Sequence, residues 1–121
     1  MNELGKFLRK FRIDRDNISL RDMASELGIS ASLLSSYETG RRPIPDDDSL
    51  YLKLKKKYRL NDLEAKTLRQ AIDRSLKSYK VDLEDVDPEV RDQYVAFARK
   101  LPGFSPSDFE ALLKGFEDED D

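Results

Sequence analysis

Residues 19–43 read SLRDMASELGISASLLSSYETGRRP, and the spacing within this stretch decides the fold. Leu20, Met23, Ala24 and Leu27 recur at i, i+3, i+4 and i+7, the pattern of one apolar helix face. Ser19 is a good N-cap for that helix, with Asp22 as the acidic partner three residues on. Gly28 stands where the helix must end in a left-handed residue. Ile29 is the single apolar residue of the turn, placed to plug the angle between two helices. Ser30 caps the second helix, Leu33, Leu34 and Tyr37 face inward, and Gly40 closes it. Two short helices joined by a tight, glycine-containing turn are a helix-turn-helix.

The run Met23-Ala24-Ser25-Glu26-Leu27-Gly28-Ile29-Ser30, followed by Leu34-Ser35, Glu38, Gly40 and Arg41-Arg42-Pro43, resembles the Cro/repressor (XRE-type) helix-turn-helix family. The match covers about the first sixty residues. The resemblance implies an all-α, five-helix, lambda-repressor-like domain, usually dimeric, whose third helix enters the major groove of DNA. It also implies site residues. Ala31, Ser32 and Ser36 match groove-facing positions, with Ser35 near the rim. Family members often carry Gln, Arg or Asn there, which pair bidentately with purines; this chain has small residues, which implies either close approach of the helix with water-mediated contacts or heavy reliance on DNA shape. Leu20 stands where a phosphate-gripping Gln is common, so phosphate contacts fall to Ser19, Arg21, Thr39, Arg41 and Arg42. Glu38 matches a structural glutamate and is assigned no base.

Outside this stretch, residues 2–13 predict a first helix with Leu4, Phe7, Leu8 and Phe11 on its core face. Lys6, Arg9, Lys10 and Arg12 take the opposite side; Lys6, Arg9 and Lys10 are further phosphate-contact candidates. Arg41 to Pro45 is a proline-stiffened loop. Asp46 or Asp47 is expected to cap a fourth helix to about Tyr58, with Leu50, Leu52 and Leu54 apolar and Lys53, Lys55, Lys56 and Lys57 exposed. Asn61 caps a fifth, to about Tyr79, whose stripe is Leu63, Leu68, Ala71, Ile72, Leu76 and Tyr79.

The C-terminal third is a short helical extension. Residues 80–86 read either as an edge strand or as an extended linker. Asp87-Pro88 and Ser105-Pro106 each begin a helix, carrying Val90, Tyr94, Phe97, Ala98 and Leu101, then Phe109, Leu112, Leu113 and Phe116. Such short aromatic-rich helices need a surface to bury against, either the first domain or a second subunit. The expected organisation is a helix-turn-helix domain over 1–79, a dimerising helical region over 80–116, and an acidic, solvated tail over 117–121.

Composition narrows the function. The 121 residues hold no Cys and no His, which removes thiolate sites and the commonest general base and metal ligand. Catalysis would rest on carboxylates, Lys, Tyr or Ser, and Asp46-Asp47-Asp48 reads as capping and surface charge; the chain reads as a non-enzyme without cofactor. Neither a membrane-spanning run nor a signal-peptide pattern is present, so a cytoplasmic protein is expected. The net charge of −3 conceals a segregation: residues 1–60 hold 13 Lys and Arg against 9 Asp and Glu, residues 61–121 hold 9 against 16. The helix-turn-helix lies in the positive half, and local field governs attraction to phosphate. The expected partner is a double-stranded DNA operator, bound as a homodimer by a transcriptional repressor of prophage or mobile-element type. The alternative is an antitoxin that also binds a toxin protein, since the acidic half suits a basic one.

Overall fold

The computed structural model describes residues 1–119, which are helical with no strand among them. The chain divides into two compact units, one over Met1–Lys80 and a second starting at Val81.

The first unit holds α1 (Glu3–Asp14), α2 (Leu20–Leu27), α3 (Ala31–Thr39), α4 (Ser49–Lys57) and α5 (Asp62–Ser75). Their apolar faces meet in one core built from Leu4, Leu8, Phe11, Met23, Leu27, Leu34, Ile44, Leu50, Leu54, Leu68 and Ile72. Helix starts follow side-chain chemistry. Asn2 Oδ1 accepts the Gly5 N–H at 2.8 Å, and the Ser19 and Ser30 hydroxyls each accept an N–H three residues on at 3.0 Å. Asn61 and Glu64 form a reciprocal capping box on α5. Gly28 and Gly40 end α2 and α3 at φ 73° and 79°, the left-handed region where a Cβ is costly.

α1 is the hub, packed against both α3 and α5. Gly5 lets α3 come close: a Cβ there would lie 2.5 Å from the Glu38 carbonyl oxygen.

Several expected details differ. Arg12 is buried, not on the outer face of α1. Leu52 is 56% exposed because a two-residue spacing puts it opposite Leu50 and Leu54 on a helix. Leu63 is 74% exposed, five residues from Leu68 and so off the stripe formed by Ala65, Leu68, Ala71 and Ile72. α4 begins at Ser49; Asp47 Oδ1 accepts the Ser49 N–H at 3.0 Å from outside the helix, and Asp48 at the N-cap makes no capping bond. α5 stops at Ser75, not Tyr79, which is largely exposed. From Leu76 the backbone turns extended and runs back along the loop after α3, where Lys77 Nζ donates to the Gly40 carbonyl at 2.6 Å and the Lys80 N–H to Asp46 at 2.7 Å. These tertiary bonds displace the last expected turn of the helix.

In the second unit, residues 81–87 form no strand; Arg91 holds them by donating to the carbonyls of Leu83, Glu84 and Val86 at 3.0–3.1 Å. α6 (Pro88–Lys100) runs into a 3-10 turn at Leu101–Gly103, and α7 (Pro106–Glu119) follows. Ser105 and Asp108 cap α7 reciprocally; the Ser105 N–H, which donates to Asp108 Oδ2 at 2.8 Å, and after it the Ser105 hydroxyl hold the Asp108 carboxyl below the usual carboxylate range. α7 extends into the segment expected to be a solvated tail; Asp120 and Asp121 of that segment lie outside the described residues.

Candidate nucleic-acid interface

The site is α3 and what holds it. At its start, Ser30 caps it and Ile29, half-buried in the turn, packs on the core. At its end, the carbonyls that a helix leaves unsatisfied are taken by the loop that follows and by groups from distant parts of the chain. Asn2 donates through Nδ2 to the Tyr37 carbonyl at 2.7 Å and through its backbone N–H to that of Glu38 at 2.9 Å. The Arg42 N–H takes the Ser36 carbonyl at 3.2 Å, and Lys77 puts a positive charge on the Gly40 carbonyl, at the negative end of the helix dipole. A helix of nine residues is thereby fixed in position.

Underneath, Arg12 Nη1 donates to Glu38 Oε1 at 2.6 Å, with both side chains almost wholly buried. Glu38 is the only charged residue of α3, so this pairing removes the one acidic charge from the helix surface.

On the outward side, Ser32 and Thr39 are exposed and Ser35 and Ser36 half-exposed, while Ala31 is half-buried against the core. The Ser36 hydroxyl donates to the Ser32 carbonyl at 2.8 Å and that of Thr39 to the Ser35 carbonyl at 2.9 Å. Their protons are spent within the helix, which leaves each hydroxyl oxygen as an acceptor, that of Thr39 taken by Arg41. Arg41 folds back over this face, its Nε donating to Thr39 Oγ1 at 3.3 Å and its Nη2 lying 3.5 Å from Ser35 Oγ. Arg42 is exposed in the same loop, and Ile44 anchors that loop in the core.

The N-terminus of α2 presents Ser19 and Arg21, both exposed. At the C-terminal end of α2, Lys53, Lys56, Lys57 and Arg59 line a shallow groove with Glu26 and Leu27. Tyr58 ties the two helices there by donating to Glu26 at 2.6 Å; burial, then that bond, pushes its phenol far up from its ordinary value.

Lys6, Arg9 and Lys10 are exposed on α1. The α1 groups that reach α3 are Asn2, Gly5 and Arg12, whereas Lys10 lines the groove toward α5 with Phe7, Phe11 and Leu63. Sequence reasoning missed four residues that build the site: Asn2, Gly5, Arg12 and Lys77. Only Gly5 left a signal, an isolated glycine inside a helical pattern.

Among the described residues no cluster of His, Cys, Asp or Glu could hold a metal ion, and no helix is long and apolar enough to cross a membrane. Asp46, Asp47 and Asp48 are occupied with the Lys80 N–H, Ser49 and Arg69 respectively.

A helix pair capped by serines, closed by left-handed glycines and flanked by arginines defines a helix-turn-helix DNA-binding domain. Residues 3–87 match the model of the Helix-turn-helix domain family, and the chain belongs to that family. No curated protein and no solved structure matches it.

Proposed function

We propose that the protein is a sequence-specific transcriptional repressor that binds a palindromic operator as a homodimer and regulates its own gene. The observation that carries this reading is the surface of α3: its single acidic residue is buried and paired, its outward face is small and hydroxylic, and Arg41 and Arg42 stand at its end. In this reading α3 enters the major groove, with Ala31, Ser32, Ser35 and Ser36 nearest the bases. Ser19, Arg21, Thr39, Arg41 and Arg42 hold phosphates, helped by the free N–H groups at the start of α2. Lys6, Arg9 and Lys10, with the lysines of α4, contribute field more than contact. One such domain covers one half-site, so operator affinity calls for two copies about 34–36 Å apart.

The experiment is a gel-shift titration against the gene's upstream region at two salt concentrations. Specific binding with a steep salt dependence is expected; equal affinity for random DNA, or none for either, would end the repressor reading. The acidity of residues 61–121 favours a second reading, an antitoxin that reuses the same domain against a basic toxin. A small basic protein encoded next door, co-purifying with this one, would identify it.

A further inference from the structure

The second unit has an unusual balance of surface and core. Not one residue of α6 or of the turn after it is buried. Yet Val90, Tyr94 and Phe97 recur at i, i+4 and i+7 on α6, and Phe109, Leu112, Leu113 and Phe116 at i, i+3, i+4 and i+7 on α7. Each is an apolar stripe of helical period, and all seven residues are between 38% and 64% exposed.

The corner aligns the two stripes. The Phe104 ring meets that of Phe97 at 5.8 Å edge-on and that of Phe109 at 5.5 Å, so both stripes converge on it. Beyond the corner α6 and α7 do not pack along their lengths. The result is an open hook with an apolar inner side. A segment of about 40 residues without disulfide or metal does not hold such a shape on its own.

We propose that the inner side of this hook takes the hook of a second copy, each α7 lying against the stripes of its partner. Area favours that occupant. At roughly 150–250 Å² per whole aromatic side chain, the exposed parts of Tyr94, Phe97, Phe109 and Phe116 come to on the order of 400 Å². Val90, Leu112 and Leu113 carry the face past the few hundred Å² that mark an interaction surface and toward the roughly 800 Å² per partner of a standard interface. Charge agrees: α6 carries Arg91, Arg99 and Lys100 against Glu89 and Asp92, while α7 has only Lys114 against five acidic residues, so an α7 set against its partner's α6 brings unlike net charges together. Pairing through the hook does not depend on whether DNA is the ligand of the first unit.

The test is sedimentation equilibrium of the full chain without DNA, beside the Leu113→Glu/Phe116→Glu variant. Both positions are more than 60% exposed and lie away from the Phe97–Phe104–Phe109 corner, so the substitution spares the fold of one copy. The natural chain is expected at twice the monomer mass, with the variant's dimer dissociation constant raised on the order of 100-fold or more. Leu63→Glu, at a residue 74% exposed on the first unit, leaves the dimer unchanged. A natural chain that stays monomeric, which would point to a different protein as the occupant, overturns the proposal. So does a variant that dimerises normally. A dimer that ignores operator DNA would leave this assembly standing and remove the repressor reading instead.

Discussion

Arg12 on α1 and Glu38 on α3 meet at 2.6 Å inside the core, twenty-six residues apart, and no other ion pair of the described residues is so buried. The pair fixes α3 to α1 while keeping an acidic charge off the surface offered to DNA. Breaking it from one side leaves a buried charge without its counter-ion. Glu38→Ala is therefore expected to cost about 3–5 kcal/mol, and Arg12→Met with Glu38→Leu much less. Urea denaturation measures both; a single substitution costing under about 1 kcal/mol would show that the pair is not buried as described.

Gly5→Ala tests how closely α1 and α3 approach. On an isolated helix this change stabilises by about 1 kcal/mol. Here the new Cβ meets the Glu38 carbonyl oxygen, a backbone atom that cannot swing away. The expected net effect is a loss of about 1–3 kcal/mol, read as a lower melting temperature. A rise would mean that the helices cross farther apart.

The loop arginines are tested together. Arg41→Ala with Arg42→Ala should leave the circular dichroism spectrum intact, since both side chains are exposed. Affinity for all DNA should fall, and the salt slope should flatten by about 2, near one unit for each phosphate left without its arginine. If the slope holds, the loop is not at the backbone.

Ser36 has committed its hydroxyl proton to the Ser32 carbonyl, so what it offers DNA is an acceptor. Acceptors suit the amino groups of adenine and cytosine in the major groove. Exchanging Ser32 and Ser36 for Ala should narrow the gap between operator and random DNA. Site selection would show relaxed preference at the affected base pairs, and an unchanged preference would shift the reading face elsewhere.

Glu64 supplies a pH dependence. The Asn61 N–H, and after it Arg15, hold its carboxyl below the ordinary value of 4.5. A depressed folded-state value stabilises above the unfolded one and is lost as pH falls through it. Glu64→Ala should therefore be less stable than the natural chain at pH 7, with the difference closing below pH 4.5. Parallel stability curves down to pH 3 would contradict this capping role.

Local pattern reached far in this chain. The caps at Ser19, Ser30, Asn61 and Ser105, the left-handed Gly28 and Gly40, and the helix-turn-helix itself were legible because each depends on residues within a turn of one another. That same locality misplaced Leu52, Leu63 and Tyr79, apolar residues counted into stripes whose helical phase or length excludes them. Arg12 read as a surface cation because its partner lies on another helix, and only folding brings Glu38 to it. The end of α5 was set by Lys77 and Lys80 bonding to Gly40 and Asp46, more than thirty residues upstream. Sequence thus determined which segments are helices and which face of most is apolar, because periodicity and capping act over a few residues. Tertiary structure alone decided what pins α3 and which charge is hidden, because those are meetings between residues that the chain order keeps apart.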